Sequence, residues 1–212
     1  MTRHQGHGTS FEDMIKGSGF FGGSANSRRP MTSAFDIEAR FDKTLNLPTS
    51  VKVAKGNSIT LSDARRFWSI SQPFRMLVGS YRQRSSTKVF YTVHEFIVHG
   101  TMIHTLRGSI RQEDVAAIHD GIAMRVFGPG CHQNARAWVR AEVNAMSSRR
   151  GLVALNPKID SKGQRRLQCS VLLSNLRDMT SYSPAYLFGG EPGQITRSTR
   201  PNTGYTHCPS RS

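Results

Sequence analysis

Lys88-Val-Phe-Tyr-Thr-Val-His-Glu-Phe-Ile-Val98 says more about the fold than any other stretch of this 212-residue chain. β-Branched and aromatic residues dominate it, and part of it is apolar at every position instead of every second one. That combination marks a central strand covered on both faces. The strand character is expected to persist to Arg111, with a turn at Gly100. Further along, residues 112–120 suggest a short helix and residues 122–127 another strand, closed by the Gly128-Pro129-Gly130 turn. Ala135, Ala137, Val139, Ala141, Val143 and Ala145 then alternate with Arg136, Trp138, Arg140, Glu142 and Asn144. The period of two predicts a strand, and helix is the competing reading because alanine is abundant. Residues 152–155 and 167–176 are two more strand candidates.

On the N-terminal side, Phe35, Ile37, Ala39 and Phe41 alternate with Asp36, Glu38, Arg40 and Asp42, the pattern of a half-buried strand. Ser62 reads as the N-cap of a helical region over 62–82, with Ala64, Phe67, Trp68, Met76, Leu77 and Tyr81 as its apolar face. Pro73 must break that region, because a proline ring and its missing N–H do not fit a helix interior. The expected architecture is α+β: one domain over 35–180, a largely antiparallel sheet packed with one broken helix or helix pair. Phe67, Trp68, Phe74, Leu77, Val89, Tyr91 and Val93 are expected in its core.

Residues 1–34 form a Gly/Ser-rich arm that also holds apolar residues, among them Phe20 and Phe21. These two are expected to mediate self-association by docking on a neighbouring copy, making a homo-oligomer; docking on the chain's own domain is the alternative. The arm has no apolar stretch of the kind found in a secretory signal peptide. The tail over 181–212, rich in Pro, Gly, Ser and Thr, is expected to be disordered.

Charge points to a class of partner. The chain has 29 Lys and Arg against 14 Asp and Glu, a formal net charge of +15. Residues 125–166 carry nine of the cations (Arg125, Arg136, Arg140, Arg149, Arg150, Lys158, Lys162, Arg165 and Arg166) and only two acids, Glu142 and Asp160. Such a surface favours nucleic-acid backbone or an anionic membrane surface as its partner. On a strand, Arg136, Trp138 and Arg140 would share one face roughly 6–7 Å apart, with two guanidiniums flanking an indole. These ten residues are the expected anionic-lipid or nucleic-acid binding set. Arg149-Arg150 and Lys162-Gly-Gln-Arg165-Arg166 also fit a nuclear import signal, which would add the host nucleus as a destination.

Catalytic chemistry finds little to work with. Gly17-Ser-Gly-Phe-Phe-Gly-Gly lacks the Lys-Ser/Thr and the preceding strand of a phosphate loop. Cys131, Cys169 and Cys208 make no CxxC pair, and His94, His99 and His104 recur every five residues, which places neighbours on opposite strand faces. The expectation is a non-enzyme with no cofactor and no metal.

The order of elements resembles a known family. Ser62-Asp-Ala-Arg-Arg-Phe-Trp68, Gly79 and Lys88-Val-Phe-Tyr, following the alternation at 35–41, resemble the front half of rhabdovirus matrix proteins, over residues 35–110. The Pro-rich late-budding motifs of animal-virus members are missing, since Ser183-Pro-Ala-Tyr matches neither form, and so is the lysine-rich N-terminal patch of some members. The resemblance implies a structural protein of the virion that bridges the viral nucleocapsid to an anionic membrane, condenses it and drives budding, with the viral glycoprotein as a further partner. It places the chain in the virion and in the host cytoplasm or at the inner membrane face. The composition also fits a rival: a viral movement or coat protein, or another basic accessory protein, that binds single-stranded nucleic acid directly.

Overall fold

The computed structural model describes residues 6–17, 21, 34–85, 87–125, 131–159, 165–180, 185–188 and 195–197. In chain order the elements are α1 (Gly6–Gly17), β1 (Thr49–Ala54), β2 (Ser58–Asp63), α2 (Ala64–Trp68), β3 (Phe74–Arg84), β4 (Thr87–Val98), α3 (Gly100–Arg107), α4 (Gln112–Met124), α5 (Cys131–Ala145), β5 (Ala154–Ile159), β6 (Arg165–Leu172), α6 (Leu173–Met179), β7 (Ala185–Phe188) and β8 (Ile195–Arg197). The fold is α+β, a single domain on two mostly antiparallel sheets.

The first sheet has the order β1-β3-β4-β7-β8, and only its β1–β3 pair is parallel. The 88–98 run is a central strand of this sheet, as its double-sided apolar pattern requires. The second sheet, β2-β6-β5, is antiparallel throughout. One continuous core joins them: Phe74, Met76, Val78, Phe96 and Val98 from the first, Ile59, Leu61, Leu155, Leu167 and Val171 from the second, and Trp68, Leu106, Val115, Val139 and Leu176 from the helices. The Trp68 indole N–H is satisfied by the Ile110 carbonyl at 2.9 Å.

A second cluster covers the opposite face of the first sheet. Phe11 and Ile15 of α1, together with Phe21 and Ile37, bury Leu77 and Val93. Phe11 stacks on Phe90 with centroids 4.5 Å apart. Gly79 is required beneath that ring, because a Cβ there would stand 2.3 Å from Phe11 Cζ. Arg75 crosses the same face, buried, with Asp42 at 3.2 Å, Glu95 at 2.6 Å and the Phe21 ring 5.2 Å away.

Several sequence expectations are corrected. The expected helix over 62–82 is helical only over α2; its N-cap is Asp63, which accepts the Arg65 N–H, and the rest is β3. Residues 74–80 are all buried, so the apolar residues beyond Pro73 belong to a strand covered on both faces. Residues 100–107 are helix, with Met102, Ile103 and Leu106 on the buried side. At 35–41 there is only an Ile37–Thr49 bridge and a single 3-10 turn, Ala39–Phe41. Of the strand expected over 122–127, residues 122–124 end α4, and residues 126–130, with the expected turn, lie outside the described residues. The 167–176 strand stops at Leu172, where α6 begins. Phe67, Trp68, Phe74, Leu77 and Val93 are core residues, whereas Val89 and Tyr91 are 41% and 43% exposed. Phe21 is docked on the chain's own sheet, which removes it from any contact with a neighbouring copy; Phe20 lies outside the described residues. In the tail expected to be disordered, β7 pairs with β4 and β8 with β7.

Candidate polyanion-binding face

The proposed Arg136-Trp138-Arg140 strand face does not exist, because residues 131–145 form helix α5. Ala135, Val139 and Val143 recur at four-residue spacing on its buried side, and at 100° per residue Trp138 falls on the opposite flank from Arg136 and Arg140. Trp138 is half-buried. The Arg125 guanidinium sits 4.6 Å over its ring, and a Cβ on Gly121 would stand 2.3 Å from its Cη2. Arg125 covers one face of the indole, and Gly121 abuts its Cη2 edge.

The helix nevertheless gathers much of the predicted set by another route. Arg136 donates to the Ile159 carbonyl at 2.8 Å, where β5 ends. Arg165, opposite Ile159 at the start of β6, donates to the Arg125 carbonyl at 3.3 Å, at the C-terminus of α4. Arg125, Arg136, Trp138 and Arg165 therefore meet at one end of the second sheet. Lys158 and Arg166, directly paired one position further along the strands, are at the same end but on the other face of the sheet.

Lys158 and Arg166 lie on the sheet face turned away from the core. Along β6, Leu167, Cys169 and Val171 point inward while Arg166, Gln168, Ser170 and Leu172 do not; along β5, Leu155 and Ile159 point inward while Ala154, Asn156 and Lys158 are exposed. The outer face is thus a polar lattice: Asn156 donates to Ser170 Oγ at 2.8 Å, Gln168 stands opposite Asn156, and Thr60 of β2 stands opposite Ser170. Like charges directly opposite on a sheet are unfavourable in the absence of a counter-charge. Among the described residues neither Lys158 nor Arg166 has a carboxylate within ion-pair distance.

The remaining members lie elsewhere. Arg140 is one turn further along α5, exposed. Arg149 and Arg150 lie past the C-terminus of α5, whose last residue, Ala145, is already about 13 Å from Arg136 by helix rise. Arg149 is occupied: it donates to the Asp114 carboxylate and, at 3.1 Å, to the Ser109 carbonyl. The hydrogen bond from Arg149 is the main reason the Asp114 carboxyl is held below its ordinary range. Arg150 bridges through its backbone to Gly108, whose φ of +65° and whose backbone contacts leave no room for a Cβ. Lys162 lies outside the described residues. Asn156, Gln168, Ser170 and Thr60 escaped the sequence reading, although the alternation of Leu167, Cys169 and Val171 with Arg166, Gln168 and Ser170 carried the signal.

Cys169 is buried and its thiol is pushed up to about 12, chiefly by desolvation, so it is no nucleophile at neutral pH. Among the described residues no three His, Cys, Asp or Glu side chains converge as metal ligands, and no helix is long and apolar enough to cross a membrane. Comparison with family models, with curated proteins and with solved structures finds no match.

Proposed function

We propose that this chain is a matrix-type structural protein, a basic plate that attaches peripherally to an anionic membrane and bridges it to a viral nucleocapsid. The observation that carries the reading is the Lys158–Arg166 pair. Two cations face each other on an exposed, polar sheet face, and among the described residues no carboxylate lies within ion-pair distance of either. Such a pair costs stability in the free chain and is relieved by a phosphate or carboxylate from outside. A flat sheet face of this kind suits a headgroup layer, to which each Lys or Arg contributes about 1 kcal/mol.

The test is sedimentation with vesicles of phosphatidylserine and phosphatidylcholine, compared with phosphatidylcholine alone. Wild type should bind only the anionic vesicles, and less well as salt rises. The Lys158→Ser/Arg166→Ser variant should bind about 30-fold more weakly, from roughly 2 kcal/mol lost. Unchanged binding by a folded double variant would remove this face from consideration.

A further inference from the structure

The β3–β4 hairpin extends beyond the sheet that holds it. β1 accompanies β3 only as far as the Ala54–Ser80 pair, and β7 accompanies β4 only from Thr92 inward. Four further cross-strand pairs lie beyond that line: Tyr81–Phe90, Arg82–Val89, Gln83–Lys88 and Arg84–Thr87. At about 3.4 Å per residue they make a two-stranded finger roughly 14 Å long, with no strand on either edge among the described residues. A free ribbon of this kind is marginal in water unless something anchors its base. Here the anchor is Phe90, held between Phe11 and Tyr81.

The charge of the finger is all of one sign. Between Val78 and Val93 the chain has Arg82, Arg84 and Lys88 and no acidic residue. A register shift between Ser80 and Tyr81 leaves Tyr91 without a cross-strand partner in the ladder. It turns out toward solvent, 43% exposed, with the Arg82 guanidinium 5.3 Å over its ring. Lys88 lies 4.4 Å over Tyr81 in the same way. The end of the hairpin, Gln83-Arg-Ser-Ser-Thr-Lys88, is hydrogen-bonding throughout, whereas a membrane-inserting loop would present apolar residues there.

We propose that this finger is a binding site for single-stranded nucleic acid, in which Arg82 and Arg84 on one face of the ribbon, and Lys88 on the other, hold phosphates of a strand that crosses its edge, and Tyr91 stacks with an unpaired base beside the Arg82 guanidinium. Cations tracking a backbone beside a solvent-facing aromatic ring are the working parts of sequence-tolerant single-strand recognition. The site is separate from the Lys158–Arg166 face. Ala54, paired with Ser80 at the base of the finger, is four residues ahead of Ser58, which pairs with Leu172; Arg166 is six residues back along β6, about 20 Å from Leu172. The inference stands on the hairpin alone and does not depend on the membrane reading; if both hold, one molecule grips a strand at one end and a headgroup layer at the other.

The experiment measures fluorescence anisotropy of a labelled oligouridylate twelve-mer across a salt series, with the full chain throughout. Arg82→Ser/Arg84→Ser/Lys88→Ser should reduce the slope of log affinity against log salt by about two units, three contacts at about 0.7 each for a single strand. Tyr91→Ala should weaken binding about 5- to 150-fold with the slope unchanged. The charge-preserving Arg82→Lys/Arg84→Lys variant should keep the wild-type slope, which separates lost contacts from lost fold. Lys158→Ser/Arg166→Ser should keep RNA binding and lose vesicle binding. A triple variant that keeps the wild-type slope overturns the proposal. So does one that loses vesicle binding while still holding RNA, since the finger would then be a membrane contact. If RNA binding instead falls with Lys158 and Arg166, the strand belongs on the sheet face.

Discussion

His94 is stacked with Phe96 beneath the sheet, with its Nε2 3.1 Å from a nitrogen of the Arg177 guanidinium. An arginine can only donate, so Nε2 accepts and the ring is neutral. Burial first, and the Arg177 charge second, push its pKa down from 6.5 to about 4. Between those two values the unfolded chain takes up a proton that the folded chain refuses, so stability falls as pH drops through that window. The expected loss is about 2–3 kcal/mol between pH 7 and pH 4.5, read from urea melts at the two values. Replacing His94 with Gln, which can still accept from Arg177, should flatten the curve there; a slope that survives would place the titrating group elsewhere. Asp114 acts lower: its pKa is depressed by Arg149, so its contribution is present above the ordinary carboxylate range and disappears only below about pH 4. Arg75 offers a test independent of pH. Truncating it to Met leaves Asp42 and Glu95 buried without their shared cation and should cost about 3–5 kcal/mol in the same assay.

At the scale of elements, legibility followed how faithfully hydrophobicity reported burial. The 88–98 strand was readable because its residues are bulky and its apolar run is continuous. Helix α5 was not, because Ala137, Ala141 and Ala145 mimicked alternate core positions although all three are exposed. Restricting the count to Val139, Val143, Trp138 and Met146 restores the helical spacing. The same weakness hid the proposed face: a misread helix put Arg136 beside Trp138, while the polar alternation on β6 that builds the outer sheet face went unused. α1 shows the opposite case, since glycines around Phe11 and Ile15 suggested a loose arm, yet both side chains are fully buried. Its docking yields a prediction contrary to the sequence expectation. Removing residues 1–17 uncovers Leu77, Val93 and Phe90, so the truncated chain should self-associate more, not less, and should bind a hydrophobic dye. Light scattering across a concentration series checks this, and Phe11→Ala should lose about 3–5 kcal/mol of stability.

Across the whole molecule, a formal charge of +15 must be held together against its own repulsion, and the arrangement of the core shows where that repulsion is tolerated. Buried or half-buried cations have partners: Arg75 has Asp42 and Glu95, Lys52 has Asp36, Arg149 has Asp114. Among the described residues, cations with no carboxylate within ion-pair distance include Lys158 and Arg166 on the outer face of the second sheet and Arg82, Arg84 and Lys88 along the β3–β4 finger, where an external anion can reach them. A chain selected for stability alone would not keep Lys158 opposite Arg166, since a neutral pair there would be about 0.2–1 kcal/mol better. Function that costs stability leaves a measurable sign. At 20 mM salt the Lys158→Ser/Arg166→Ser variant should melt higher than wild type, by a few degrees at most for a chain of this size. At 300 mM salt, with the Debye length shortened below 8 Å, the two should converge. Adding inorganic polyphosphate at low salt should reverse the order, because a ligand that binds only the folded state raises the melting temperature of the chain that binds it best. A double variant that melts lower than wild type at low salt would mean that the two cations stabilise the sheet, and the case for an external counter-ion at that pair would be lost.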